Sequence, residues 1–96
     1  MQKNFPLQAR GKDDARVRDK IRQEINKYVR RERRKPLPEG FNLWEFSCRV
    51  GGSKETAETK PLKDVGGAID VVAAGGTAEV YIEIVAVPAQ RRPRNP

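Results

Sequence analysis

The chain has 96 residues, with 20 lysines and arginines against 13 aspartates and glutamates for a formal charge of +7, one cysteine and no histidine. An internal disulfide, a Cys/His zinc site and a histidine general base are therefore excluded, and much of catalytic chemistry with them. No apolar run approaches the ~18 residues of a membrane span, and the N-terminus lacks a signal peptide's apolar segment, so a cytoplasmic chain with one core is expected.

In chain order, Lys3 to Arg10 alternates Phe5, Leu7 and Ala9 as a half-buried strand does, although Pro6 removes one ladder donor. Gly11 and Lys12 lead into the dominant element, a long amphipathic helix from Asp13 to Lys35. Val17, Ile21, Ile25, Tyr28 and Val29 recur every three or four residues as its buried stripe, continued by the aliphatic part of Glu32. Asp13 is placed to cap the helix and Asp14 to favour its dipole. Pro36 and Pro38 stop it. Phe41 to Val50 alternates Trp44, Phe46, Cys48 and Val50 against Leu43, Glu45, Ser47 and Arg49, the pattern of a strand with one face buried.

Gly51 to Lys54 reads as a turn, and Thr56 to Leu62 as a weak polar strand that Pro61 ends. Asp64 is placed to cap a short helix carrying Val65, Ala68, Ile69 and Val72, with Gly75 or Gly76 as its left-handed terminus. Thr77 to Val87 is the most apolar strand, with Ala78, Val80, Ile82, Ile84 and Ala86 on one face, and Pro88 is expected to end it. The organisation is one α+β domain over residues 1–88 and a disordered basic tail over 89–96.

The order β-α-β-β-α-β matches a ferredoxin-like split βαβ sandwich, two helices on one face of a small, mainly antiparallel sheet. That topology makes the first strand central and the last an edge, whereas here the first contains a proline and the last is the apolar one. The same elements with the C-terminal strand central are the alternative. Either way Trp44, Phe46, Cys48, Ile21, Ile25, Tyr28, Ile82 and Ile84 are expected to form the core.

The stretch KYVRRERRKPLPEGFNLWEFSCRVG (Lys27 to Gly51) and the later VYIEIVAVP (Val80 to Pro88) resemble a family of short bacterial proteins of unknown function. The segment ERRKPLPEG, Glu32 to Gly40, followed by Trp44, is the most distinctive part. The resemblance implies a self-contained domain of the bacterial cytosol and transfers no activity.

Nothing in the chain assembles a catalytic constellation, so the protein is expected not to be an enzyme and to need no cofactor or metal. Cys48 shares a face with Trp44 and Phe46 and has no histidine to activate it, which makes it a packing residue. Glu79 and Glu83, four strand residues apart, are separated by about 13 Å, beyond the ~5 to 9.5 Å over which two carboxyls share one bond-breaking event. The Gly-Gly pairs at Gly51, Gly66 and Gly75 fit neither G-x-x-x-x-G-K-[ST] nor G-x-G-x-x-G. Trp44 and Tyr28 read as core rather than stacking platforms.

Charge is the remaining clue. Residues 1–40 hold thirteen basic and six acidic side chains, residues 41–87 four and seven, and the last nine hold three arginines. A clustered cationic field attracts polyanions, which points to the phosphates of RNA or DNA. RNA leads because no groove-reading helix-turn-helix or zinc module is present. The candidate contacts are Lys27, Arg30, Arg31, Arg33, Arg34 and Lys35 at the helix end and Arg91, Arg92 and Arg94 in the tail. Base readout on the sheet is not expected, since its outward residues include Glu79 and Glu83 flanking Tyr81. The alternative is a protein-interaction or homo-oligomerisation module, in which Leu43, Tyr81, Val85 and Val87 form an apolar patch on the outer sheet face.

Overall fold

The strand with the most apolar alternation takes the inside of the sheet. A computed structural model describes residues 1–8, 11 and 13–90 of the chain. Strands β1 (Gln2–Pro6), β2 (Leu43–Gly51), β3 (Glu58–Lys60) and β4 (Glu79–Ala89) form one antiparallel sheet in the order β1-β4-β2-β3. Two helices, α1 (Asp14–Arg33) and α2 (Val65–Ala74), are added in an α+β arrangement. Of the two strand orders the sequence permits, the one with the C-terminal strand inside is adopted. The ferredoxin-like order, with β1 inside and β4 at an edge, is not.

Proline explains the choice. Leu7 N–H donates to Ala78 O and Ile84 N–H to Met1 O, so the odd residues of β1 and the even residues of β4 point their amides at each other. The nitrogen of Pro6 therefore faces the open side of β1, where no donor is needed. Pro88 lies on the same side of β4 as Ile84 but beyond Met1, where β1 has ended, so it too sits at an open edge. This is why Pro88 does not end β4: the strand continues to Ala89, which pairs with Leu43 and accepts from Asn42 N–H at 3.1 Å. The side-chain amide of Gln90 then donates to Gly40 O. Of the tail expected at 89–96, residues 91–96 lie outside the described residues.

The core lies between the sheet and the helices. Val80, Ile82 and Ile84 of β4, all 0% exposed, meet Cys48 and Val50 of β2 and Phe5 of β1 from the sheet, and Val17, Ile21, Ile25 and Val29 of α1 with Val65 and Ile69 of α2 from above. The helical stripe read from the sequence is thus the buried one. Tyr28 and Phe46 are only partly buried at its margin. Trp44 also departs from the expected core: it is half-buried, because its indole N–H reaches Lys35 O at 3.0 Å. Leu7, expected inside the first strand, follows it in a bend yet stays buried.

Helix ends follow their chemistry unevenly. The Asp13 carboxylate accepts from Ala15 N–H at 3.2 Å as an N-cap. Asp64 occupies the equivalent position before α2 but makes no side-chain cap bond, because a 3-10 turn, Leu62–Asp64, already leads into that helix. Gly76, at φ +82°, supplies the left-handed residue after α2. Gly51 is required for another reason: a Cβ there would lie 2.6 Å from Ala57 Cα, so only glycine lets the chain fold back across the end of β2.

Depth of burial sets an expected ranking. Ile82→Ala should cost about 2–5 kcal/mol of unfolding free energy in urea titration, whereas Val71→Ala, at a site 72% exposed, should stay within about 0.5 kcal/mol.

Candidate nucleic-acid interface

The basic end of α1 divides into cations the fold has engaged and cations it has not. The Arg31 guanidinium lies over the Tyr28 ring at 5.6 Å and that of Arg33 over the Phe46 ring at 5.5 Å. Lys35 Nζ is 2.7 Å from Glu32 Oε2. The helix closes with Arg34 N–H donating to Arg31 O and Lys35 N–H to Glu32 O, and Trp44 takes up the Lys35 carbonyl. These contacts satisfy groups that a helix C-terminus would otherwise leave bare.

Lys27, Arg30 and Arg34 have no ion-pair or ring partner among the described residues and are exposed. At spacings of three and four they share one helix face, opposite the buried stripe. Arg16 and Lys20 continue that face toward the N-terminus, equally exposed and without an ion pair among the described residues. From Arg16 to Arg34 the ridge is about 27 Å long at 1.5 Å per residue. Sequence reasoning put the site at the helix end and in the tail, and left out the N-terminal half of the helix. Arg16 and Lys20 were legible by the same 3.6-residue period but were masked by the denser charge downstream.

Arg18 and Arg22, on the flank facing α2, are structural. Arg18 Nε lies 3.2 Å from Asp70 Oδ1, which Arg22 also contacts at 2.5 Å through Nη2, while Arg22 donates to Gly66 O and pairs with Asp19. A Cβ on Gly66 would stand 3.4 Å from Arg22 Nε, at ordinary van der Waals contact, so the arginine packs directly over this helical glycine. Arg91, Arg92 and Arg94 lie outside the described residues.

The outer face of the sheet differs from the expected apolar patch. Tyr81 is 4% exposed, so it does not belong to an accessible surface. Its hydroxyl donates to Glu83 Oε1 at 2.9 Å, and burial followed by that carboxylate pushes its pKa up. Arg49, 3.9 Å from the same carboxylate, donates to Lys54 O and Ala57 O and draws the 52–57 loop across this end of the sheet. Leu43 is half-buried, and Val85 and Val87 remain 43% and 42% exposed, but their cross-strand neighbours are Ser47 and Glu45.

Two further groups bear on chemistry. Cys48 is buried on the core side and its thiol pKa is pushed up by that burial, which opposes the thiolate a nucleophile needs. A cavity of about 570 Å³ between β2, β3 and α2 is lined by a mixed set that includes Glu58, Lys60, Lys63, Asp64 and Val71. Among the described residues no three His, Cys, Asp or Glu side chains converge as metal ligands, and no helix is long and apolar enough to cross a membrane.

Fold and surface together define a small two-layer α+β protein with a cationic ridge on its longest helix. The chain belongs to the family of unknown function DUF6172, whose model matches residues 1–95. No curated protein and no solved structure matches it.

The Lys35 hydrogen bond, foremost, holds the Glu32 carboxyl below the usual carboxylate range. A pKa lower in the folded than in the unfolded state gives stability that is present in full above the ordinary carboxylate range and is lost as pH falls through the lowered value. Glu32→Gln should therefore be less stable than wild type at neutral pH, with the difference shrinking in urea titrations as pH falls below the ordinary carboxylate range.

Proposed function

We propose that the protein is a non-enzymatic binder of nucleic-acid phosphates in the bacterial cytoplasm, RNA ahead of DNA, and that the outward ridge of α1 is its contact surface. The observation that carries this reading is the partition of charge. Asp19, Asp70, Glu24 and Glu32 are paired with Arg18, Arg22, Lys3 and Lys35, leaving Arg16, Lys20, Lys27, Arg30 and Arg34 on one exposed line. A line of cations on a rigid rod suits a phosphate backbone, which offers charge at regular intervals and gives no base information to such contacts. Arg31 and Arg33, held over aromatic rings, keep their charge at the ridge's margin and add to its field. The interaction-module reading is weaker, because Tyr81 is buried and Glu45 and Ser47 interrupt what is left of its patch.

Binding of a fluorescent single-stranded RNA, followed by anisotropy across a salt series, tests the reading. Five phosphate contacts give a slope of log K against log salt of about −3.5, at about −0.7 per contact. Replacing Lys27, Arg30 and Arg34 by glutamate removes cations that have no ion-pair or ring partner among the described residues, so affinity should collapse while the melting temperature stays nearly constant. Wild-type retention on RNA or heparin no greater than that of this triple variant would remove the proposal.

A further inference from the structure

We propose that the open edge of β1 and the groove beside it form a docking site for an extended acidic peptide, which adds to the sheet as a fifth strand. Because the odd residues of β1 bond to β4, the amides of Gln2 and Asn4 and the carbonyls of Gln2, Asn4 and Pro6 point away from the sheet, with no strand beside them among the described residues. Such a row of unused donors and acceptors is the template on which strand addition works.

The groove supplies selectivity. It has a volume of about 480 Å³ between β1 and α1, with Phe5, Val17 and Ile21 forming its floor and Lys3, Arg16 and Lys20 its walls. The floor residues are each at most 9% exposed, so the groove is shallow and grips a small molecule poorly. An added strand instead holds itself by its backbone and lays alternate side chains over Phe5. The carboxylate in the groove, Glu24, already lies 3.5 Å from Lys3 Nζ, and Lys3 also covers the Phe5 ring at 4.8 Å. Among the described residues Arg16 and Lys20 thus have no ion-pair partner, and acidic side chains on the incoming strand complement them. Displacing the Lys3–Glu24 pair costs little, because both side chains are about half exposed and solvent screens their attraction. Pro6 ends the usable edge and sets the length of the pairing at Gln2 to Pro6.

A fluorescein-labelled decapeptide alternating glutamate with valine, titrated into the full chain, tests the proposal. Asn4→Pro removes an outward amide that β4 does not use, so it should leave the melting temperature unchanged and weaken the peptide at least about tenfold. Arg16→Glu with Lys20→Glu should weaken it as much, while Lys27→Glu with Arg30→Glu, which lie away from the groove, should change it less than about twofold. RNA binding should behave the opposite way toward Asn4→Pro and be unaffected by it, which separates this proposal from the phosphate-binding one. Amide exchange at Gln2 and Asn4 in the wild type should slow at least about tenfold in the complex, a reading that does not depend on any variant folding. Equal binding by wild type and Asn4→Pro, unchanged exchange at Gln2 and Asn4, or equal affinity for a peptide of the same charge with a methylated backbone would overturn it. So would a dimer of the free protein that Asn4→Pro dissolves, since the edge would then belong to a second copy of this chain.

Discussion

The antiparallel ladder between β2 and β4 is the contact on which the remainder of the molecule depends. It places Val50 opposite Ile82 and Cys48 opposite Ile84, giving one apolar surface that neither strand provides alone. Both helices must lie on that surface, because β1 contributes only Phe5 to the core and β3 is three residues long. The first helix consequently turns Val17, Ile21, Ile25 and Val29 inward along its whole length and exposes the opposite side. Its cationic ridge is outward because its stripe is inward.

The edges of the sheet obey a second constraint. Each open side carries a feature that blunts uncontrolled pairing: Pro6 on β1, Pro88 on the part of β4 that β1 does not cover, and the shortness of β3. A proline within a strand pattern is therefore information about strand order as much as about strand end. At Pro88 the period-2 pattern was the better guide to extent, and the proline the better guide to location.

Elements with a strong period were legible from sequence, and relations between elements were less so. The stripe of α1, its Asp13 cap and the two faces of β2 and β4 follow from spacing alone. Tyr81 was misplaced because alternation assigns it correctly to the outer face but is blind to the loop that Arg49 and Gly51 allow to cross there. Trp44 falls short of full burial because its indole N–H needs an acceptor, and the acceptor is a helix-terminal carbonyl nine residues earlier. For the candidate interface, charge density was visible in the run Arg30 to Lys35, but its division was not. Phe46, Tyr28 and Asp70 decide which cations are engaged, and only Tyr28 lies near enough in sequence to be foreseen.

That division also answers why a helix with so much like charge is stable. Unfavourable i,i+4 pairs such as Arg16–Lys20, Lys27–Arg31 and Arg30–Arg34 each cost about 0.2–0.5 kcal/mol, and exposed charges further apart than a Debye length of about 8 Å hardly sense one another at physiological salt. Burial of a single aliphatic side chain contributes about 1.5–3 kcal/mol, and α1 buries four. The repulsion is therefore tolerated easily, and among the described residues no ridge cation takes part in an ion pair. Neutral residues at Arg16, Lys20, Lys27, Arg30 and Arg34 would leave every ion pair and cation–ring contact among the described residues in place and relieve the repulsion. Under the proposed function, a feature that the fold tolerates at a small cost has its physical rationale in an anionic surface that converts the repulsion into attraction.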